Sequence, residues 1–264
     1  MENHMGSLIG IDVSRWQNTL LWNKLHSVSL AGKSISFVWV KATHGTGLDP
    51  KFKENCENSG KYYADANHRR GFYHWFTKQS PKDQAAAMAA AISSPSSTWD
   101  LPPAMDFEDP DTGGVFGKPL VALARAFGEE VEQRLGVKLV VYTGTWFWMQ
   151  YCKNVDDDWF ASRALWHASY PGGIPDEDKH PGVSFPWASR GKHESFWQFD
   201  GDKGLYLPAE CSSNNVKVDA DVNRFNGNLD DLDYFVRYSR GTPLMTPVDG
   251  TLIDWVPPEK PLLG

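Results

Sequence analysis

The sequence predicts a single α/β domain whose strands close into a barrel, and three observations lead to this expectation. Short apolar runs alternate with helix-like segments, which is the pattern of parallel strands joined by crossover helices. The chain has 264 residues, a length that single α/β barrels commonly reach. Almost every apolar run also ends on a polar or ionisable residue, as strands do where a parallel barrel forms its active site.

The candidate strands are eight apolar runs of strand length. In chain order they cover residues 8–12, 35–41, 71–75, 103–108, 138–143, 164–168, 195–199 and 216–221. All eight are expected to be parallel, so their ends would meet at the C-terminal rim of the barrel. The polar residues at those ends are Asp12, Lys41, His74, Glu108, Tyr142, Gln198 and Asp221.

Helix-like segments lie between these runs. Residues 83–92 are rich in alanine and follow Ser80 and Pro81, which is a helix-start signal. Residues 120–135 place apolar side chains at the spacing of one helical face. Residues 52–68 and 229–238 are weaker helix candidates, whereas residues 171–192 contain four prolines and predict a long loop.

The end of the chain has a different composition. Five prolines stand at positions 243, 247, 257, 258 and 261. This spacing predicts an extended tail over residues 241–264, following a barrel over residues 8–240. The tail is expected either to dock on the barrel through Leu252, Ile253 and Trp255 or to recruit a partner.

Composition excludes several classes of protein. The 26 Lys and Arg against 33 Asp and Glu leave a net charge of −7, which argues against general nucleic-acid binding. The sequence lacks an apolar run of roughly 18 residues, so no membrane span is expected. Residues 1–10 have neither the basic nor the apolar segment of a secretory signal. The three cysteines stand far apart without a C-x-x-C pair, which predicts neither a zinc motif nor a disulfide scaffold.

Asp106 and Glu108 are the sharpest candidate pair. Residues two apart on a strand face the same side, with Cα atoms about 6.5–7 Å apart. Two neighbouring acids cannot both ionise freely, so one keeps its proton to higher pH, as cleavage of a glycosidic bond requires. The alternative is an acidic turn, since Glu108 leads directly into Asp109, Pro110 and Asp111.

The other strand-end residues also have structural interpretations when each is taken alone. Asp12 could cap the turn after its strand, and Lys41 could lie at the rim with its ammonium group in solvent. His74 could be a hydrogen-bonded core residue. Their joint placement nevertheless favours a site, and nearby aromatic rings could stack on sugar C–H faces. No histidine pair has metal-ligand spacing and no nucleotide-binding motif occurs, so no metal and no cofactor are expected.

Eight segments, in order, resemble glycoside hydrolase family 25, the Chalaropsis-type lysozymes. The first is G-I-D-V-S-R-W-Q at residues 10–17, and the acidic pair lies in M-D-F-E at residues 105–108. The resemblance covers about residues 8 to 238. The remaining segments are residues 37–43, 71–75, 141–143, 165–170, 197–199 and 221–227.

The resemblance implies a distorted TIM-like barrel, (β/α)5(β)3, with five β/α units followed by three strands. It also implies hydrolysis of the β-1,4 bond between N-acetylmuramic acid and N-acetylglucosamine in peptidoglycan. Glu108 would be the proton donor, and Asp106 would stabilise the charged intermediate or orient the 2-acetamido group. Asp12 and Asp221 would complete the acidic rim. The residues expected to bind the saccharide are Lys41, Tyr73, His74, Tyr142, Trp166, Tyr170 and Gln198.

Two other functions stay open at this point. One is a barrel that binds cell-wall glycan without cutting it, as part of a phage particle or secretion apparatus. The other is a related hydrolase that acts on another N-acetylated polysaccharide such as chitin. For the muramidase, the expected context is a monomeric bacteriophage endolysin released by a holin, or an effector delivered by a secretion machine.

Overall fold

The structure is a computed structural model that describes residues 6–240, with gaps at residues 18–19, 31, 64, 95–96, 177–178, 202–204 and 220. The strands of this part of the chain are β1 (Leu8–Val13), β2 (Ser29–Leu30), β3 (Lys33–His44), β4 (Gly47–Leu48), β5 (Arg69–Trp75), β6 (Ala104–Asp106), β7 (Val140–Gly144), β8 (Ala164–Ala168), β9 (Phe196–Asp200), β10 (Tyr206–Leu207), β11 (Val218–Asp219) and β12 (Asp221–Phe225). The helices are α1 (Trp22–Leu25), α2 (Phe52–Tyr62), α3 (Pro81–Ile92), α4 (Lys118–Leu135), α5 (Thr145–Gln150), α6 (Asp158–Ala161) and α7 (Leu229–Ser239).

Eight of the described strands close a barrel in the order β1-β12-β9-β8-β7-β6-β5-β3, and β3 pairs with β1 to complete the ring. Seven of them are parallel, from β1 and β3 round to β9. An α-helix follows each of the first five barrel strands, whereas the described connections from β8 to β9 and from β9 to β12 contain only the short 3-10 helices Ala188–Arg190 and Ala209–Cys211. The expected (β/α)5(β)3 barrel is therefore confirmed.

The eighth barrel strand corrects the expectation of an all-parallel sheet. The run 216–221 is divided between β11 and β12, and β12 is antiparallel to both of its neighbours, β9 and β1. The reason is the connection after β9, where β10 and β11 pair with each other instead of forming a crossover helix. A parallel neighbour needs such a crossover, so a chain that stays at the C-terminal rim must run back down the barrel.

The helices agree with the expectation except at their ends. The segments 83–92 and 120–135 are helical in α3 and α4, and the Ser80 hydroxyl accepts from Asp83 N (3.4 Å) at the start of α3. The segment 52–68 is helical only to Tyr62, because the Asp65 carboxylate accepts from Asn67 N (2.7 Å) in a turn that competes with the helix. The short helices α1, α5 and α6 were not predicted, since four to six residues show no periodicity.

Aromatic side chains fill the lower part of the barrel interior. Trp39 stacks on Trp166 with ring centroids 5.1 Å apart, and Phe37 packs edge-on against Phe196 at 5.5 Å. Glycine at position 10 makes this packing feasible, because a Cβ there would lie 2.3 Å from the Phe37 ring. Helix α7 covers the N-terminal end of the barrel, where its Phe235 contacts Phe196 at 5.5 Å.

The C-terminal segment and the three cysteines were also the subject of predictions from the sequence. The tail over residues 241–264 lies outside the described residues, so the boundary between a barrel at 8–240 and a tail stays a prediction. Cys56, Cys152 and Cys211 are buried, and none of the three is in a disulfide bond. None of the helices described is long and apolar enough to cross a membrane.

Candidate active site at the C-terminal end of the barrel

The alternation of strand side chains brings polar groups together inside one end of the barrel. On each parallel strand, every second residue faces the interior, and near the C-terminal end that residue is polar or aromatic. β12 adds Asp221 and Asn223 from its first half, because it runs in the opposite direction and starts at this rim. The parallel strands supply Asp12, Lys41, Tyr73, Asp106, Tyr142, Trp166 and Gln198.

Asp12 stands at the centre of a hydrogen-bond network. Its Oδ2 accepts from Gln198 Nε2 and from Asn223 Nδ2, each at 2.8 Å. Asn223 is held in turn by Trp166, whose indole Nε1 donates to Asn223 Oδ1 at 2.7 Å. The orientation of the Asn223 amide is therefore fixed by both of its ends. The arrangement presents two donors to the form of Asp12 that carries a negative charge.

Gln198 is held in the same way by two tyrosines. The hydroxyl of Tyr142 donates to Gln198 Oε1 at 2.7 Å, and that of Tyr170 donates to the same oxygen at 2.6 Å. The Tyr142 hydroxyl also lies within hydrogen-bonding reach of Glu108. Each polar group that contacts Asp12 is thus positioned by an aromatic side chain, which keeps the carboxylate in one geometry without help from solvent.

The ionisation of Asp12 reflects its burial. Burial raises the pKa of Asp12 to about 6, against the opposing effect of the Asn223 and Gln198 hydrogen bonds and of the Lys41 charge. Without the hydrogen bonds from Asn223 and Gln198, the ionised form of the buried Asp12 would be even less stable relative to its protonated form. Asp12 is therefore negatively charged only above mildly acidic pH.

Asp106 and Glu108 occupy different depths at the end of β6. Asp106 is buried, and no described residue offers a hydrogen bond to its Oδ1. Burial raises the pKa of Asp106 well above its ordinary value, with a further contribution from the negative charge of Glu108. Glu108 lies two residues further along, beyond the strand end, and is only partly buried. Of the two acids, Glu108 is the one that a substrate at the barrel opening can reach.

Glu108 has the properties of a proton donor near neutral pH. Burial raises the pKa of Glu108 to about 7, and the negative charge of Asp12 adds to the rise. Lys41 and the Tyr142 hydroxyl act in the opposite direction. A carboxylic acid with a pKa near 7 beside an ionised carboxylate is the combination that acid-assisted cleavage of an acetal needs.

Lys41 is the cation that faces this acidic group. Its Nζ lies 4.2 Å from the centroid of the Trp75 ring and 5.7 Å from that of Tyr73. Burial lowers the pKa of Lys41, while the charges of Asp106, Asp49 and Asp12 oppose that change. Lys41 thereby offsets part of the negative charge at the barrel end.

Asp221 and Tyr170 lie at the edge of the cluster. Asp221 pairs with Asp12 across the β1–β12 ladder, and both it and Asp12 raise the pKa of Tyr170, after the larger effect of burial. Tyr170 remains 55% exposed although its hydroxyl is bonded to Gln198, so its ring presents an open face at the barrel mouth. A sugar ring could pack on such a face.

His74 is not part of this group, although a role in substrate binding was predicted for it. It faces away from the barrel interior, fully buried against α3 and α4. Its Nδ1 lies 2.7 Å from Thr43 Oγ1, its Nε2 lies 3.2 Å from Gln84 Oε1, and its ring stacks on Phe127. Burial lowers the pKa of His74 to about 3, so the ring is neutral. The ring has no path to a saccharide in this structure.

Trp166, which was also predicted to bind the saccharide, departs from that prediction less than His74 does. It belongs to the cluster, but its ring is 1% exposed and is packed among Trp39, Tyr73 and Tyr142. Its contact with the site is the hydrogen bond to Asn223. Trp166 therefore supports the polar layer from below and presents no open face to a ligand.

Three residues of this end were absent from the predicted set. Asn223 bonds Asp12, Trp75 contacts the Lys41 ammonium, and buried Asp49 accepts from Arg15 N at 3.3 Å. Two of the three carry a sequence signal. Trp75 follows Tyr73 by two residues and Asn223 follows Asp221 by two, so strand alternation places each beside a predicted site residue.

The sequence is similar to a known family and to individual proteins. Residues 11–205 match the sequence model of "Glycosyl hydrolases family 25". The uncharacterized protein YegX of Escherichia coli K12 is 30% identical over 237 residues, which cover 89% of this chain and 75% of that protein. Lysozyme M1 of Streptomyces globisporus is 27% identical over 230 residues, covering 83% of this chain and 68% of the relative.

Solved structures with the same fold were also found. The bacterial lysozyme from Streptomyces coelicolor superposes with a TM-score of 0.67 at 24% identity, covering 90% of this chain and 99% of the other. The catalytic domain of endolysin ply40, from bacteriophage P40 of Listeria monocytogenes, superposes with a TM-score of 0.61 at 19% identity, covering 89% and 99%. These similarities establish the shared barrel. The family match, which spans most of the described barrel, places this chain in glycosyl hydrolase family 25.

Proposed function

We propose that this protein is a peptidoglycan hydrolase of the lysozyme type, which cleaves the β-1,4 bond between N-acetylmuramic acid and N-acetylglucosamine. The observation that carries the proposal is the contrast between Glu108, an accessible acid whose pKa is raised to about 7, and Asp12, a carboxylate held by two amide donors. Family membership and the lysozyme relative support the reaction class and the substrate.

In the proposed reaction Glu108 gives its proton to the glycosidic oxygen as the bond from that oxygen to the sugar C1 breaks. Positive charge then develops at C1 and the ring oxygen, and the negative charges of Asp12 and its neighbours stabilise it. Glu108, now ionised, accepts a proton from the water that adds to C1, which restores the acid. Asp106, beside Glu108, contributes negative charge or orients the 2-acetamido group.

The saccharide-contacting surface is proposed from the side chains around these acids. Tyr170 offers an exposed ring at the opening, and Tyr73, Tyr142, Lys41 and Gln198 line the wall beneath it. The wall residues are largely buried, so they contact only the sugar that enters the barrel mouth. Asp221 is proposed as the outermost member of the acidic rim.

The working context is also a proposal. The described barrel strands form a closed ring without an open edge to which a second copy could add a strand, which supports action as a monomer on glycan strands. Delivery to the cell wall through a holin, with a secretion machine as the other route, stays a prediction. A docking or partner-binding role for residues 241–264 remains a prediction.

Digestion of purified sacculi tests both which glycosidic bond is cleaved and whether Glu108 is the proton donor. The wild-type protein is expected to release muropeptides with reducing N-acetylmuramic acid ends, identified by mass spectrometry after borohydride reduction. Glu108→Gln is expected to lower the rate by about 10²–10⁴-fold while the circular dichroism spectrum is kept. Glu129→Gln is the matched control, because this exposed acid lies on the outer helix α4, where its carboxylate is 3.7 Å from Arg125.

The two other candidate functions give different results in the same assay. A barrel that only binds glycan would pellet with the sacculi and release no reducing ends. A hydrolase for chitin would cleave soluble N-acetylglucosamine oligomers and leave the sacculi intact. Normal muropeptide release by Glu108→Gln would refute the role of Glu108 even if the enzyme class were right.

A further inference from the structure

A second cluster of ionisable side chains lies at the other end of the barrel. His193 and Glu194 lie two to three residues before the start of β9, and Asn226 directly follows β12, so both segments lie at the N-terminal end of the parallel strands. His180 reaches the same place from the long loop that connects β8 to β9. The catalytic end is at the opposite mouth of the barrel, so the proposed reaction makes no use of this cluster.

The geometry of the cluster suits a small cation. One ligand atom from each of His180, His193 and Glu194 lies within 4.8 Å of the other two. His180 Nδ1 is 2.9 Å from Glu194 Oε1, and the two imidazole rings have centroids 5.0 Å apart. In a tetrahedral zinc site, bond lengths of about 2.0–2.2 Å place ligand atoms about 3.3–3.5 Å apart. Small side-chain rotations would bring the three atoms to that separation.

The environment of Glu194 is evidence for a bound ion that does not depend on the distances within the cluster. Its side chain is fully buried, and Oε1 accepts from Asn226 Nδ2 at 2.8 Å. The second oxygen, Oε2, is buried as well, and within the described residues it has no hydrogen-bond partner. A buried carboxylate oxygen without a partner is costly, and a divalent cation is one group that removes the cost. The two histidines are at the surface, which leaves an entry path for the ion.

We propose that His180, His193 and Glu194 bind one divalent transition-metal ion, with zinc as the best fit. Two imidazole nitrogens and one carboxylate are a common zinc ligand set, and a water molecule completes the tetrahedron. Asn226 orients the Glu194 carboxylate from the second coordination shell. The metal fastens the β8–β9 loop to the strand ends, beside the hydrogen bond from Arg224 Nη1 to the carbonyl oxygen of Asp176 at 2.8 Å.

Zinc titration of the whole 264-residue chain tests this site. After EDTA treatment and dialysis, isothermal titration with ZnCl2 at pH 7.5 is expected to show one site per chain. His180→Ala and His193→Ala are each expected to weaken that site by at least about 100-fold, since each removes a ligand. The matched control is His68→Ala, because His68 forms a pair with Asp65 at 2.8 Å and no third ligand stands near them among the described residues.

Thermal unfolding supplies a second readout. Zinc is expected to raise the Tm of the wild type and of His68→Ala, and to leave that of His180→Ala unchanged, because a ligand stabilises only the state that binds it. The rate of sacculus digestion is expected to be the same in His180→Ala and the wild type. Absence of a one-to-one site in the wild type, or its survival in both histidine variants, would overturn the proposal. Should His193→Ala fail to fold, His180→Ala on the exposed loop decides alone.

Discussion

The two ends of the barrel interior are built from the same strands and have opposite characters. At the N-terminal end, Phe37, Phe196 and Phe225 pack together under α7, whose Leu232 and Phe235 close that mouth. Two to four residues further along, the same strands carry polar and ionisable side chains. One end contributes apolar burial, and the other concentrates groups that are costly to bury.

The acidic end of the barrel interior depends on the aromatic end beneath it. Trp39 and Trp166 form a dry floor beneath Asp12 and Asp106, and this floor removes the solvent that would otherwise keep their pKa values low. The stability gained at the aromatic end allows the protein to tolerate the destabilising acids at the other. Variants at the two ends should therefore separate activity from stability.

The rate of catalysis should change most strongly with pH. Above a pKa of about 7, Glu108 loses the proton that it must donate, so kcat/KM at pH 9 should be about 100-fold below its maximum. Below about pH 6, Asp12 takes up a proton and its negative charge is lost, so the rate falls again. Initial rates on an uncharged soluble oligosaccharide measure the profile. A rate that stays flat to pH 9 in folded protein would contradict the assignment.

At the aromatic end, the substitution Phe235→Ala should act on stability alone. Removing a buried phenylalanine that contacts Phe196 and Phe225 is expected to lower the free energy of unfolding by about 3–5 kcal/mol. Urea denaturation measures the loss, and kcat per folded molecule should stay at the wild-type value. The exposed α7 residue Asp230 provides a control in Asp230→Asn. A large fall in kcat at full folding would show that the two ends are coupled.

At the acidic end, Glu108→Gln should make the protein more stable. The pKa of Glu108 is 4.5 in the unfolded chain and about 7 in the folded protein, so folding favours the protonated form. Stability is therefore lost as the pH rises through this interval, and the neutral amide avoids that loss. The gain should be about 1–3 kcal/mol at pH 8 and vanish below about pH 4. Equal stability of the two proteins at pH 8 would argue against the raised pKa.

Substitution of His74 is expected to affect catalysis least, because this side chain lies outside the barrel interior. The substitution therefore tests whether His74 contacts the substrate. His74→Gln should change kcat/KM by less than about threefold while lowering the Tm, because the ring stacks on Phe127 in the outer layer. Tyr73→Ala is the comparison on the adjacent position, since its ring faces the interior beside Lys41. A loss of activity for His74→Gln without a loss of stability would show that His74 does contribute to substrate binding or catalysis.

Much of the barrel could be predicted because strand residues alternate between two environments. The run 164–168 coincides with β8, and the other parallel runs differ from their strands only at the ends. The same alternation shows why His74 could not share a face with Tyr73, an inference that the strand-end pattern alone does not provide. A bulge between Lys41 and Thr43 then turns Thr43 outward, where it bonds His74.

The rest depends on contacts that a single sequence does not reveal. The hydrogen bond from Asn223 to Asp12 joins residues 211 positions apart, and that from Gln198 joins residues 186 positions apart. The direction of β12 depends on the path of the chain between β9 and β12, where local patterns are weak. The cluster of His180 with Glu194 is likewise formed by tertiary packing, and its spacing fits no short metal motif.

The antiparallel strand β12 fixes when the acidic end of the barrel can be completed. Asp12 is on β1, the first barrel strand in chain order, whereas one of its two hydrogen-bond donors, Asn223, lies on β12, the last described barrel strand. Until β12 has paired with β9 and β1, the ring of strands is open and the Asp12 carboxylate lacks this donor. Closure of the ring and completion of the Asp12 network are therefore the same folding event, which joins residues far apart in the sequence.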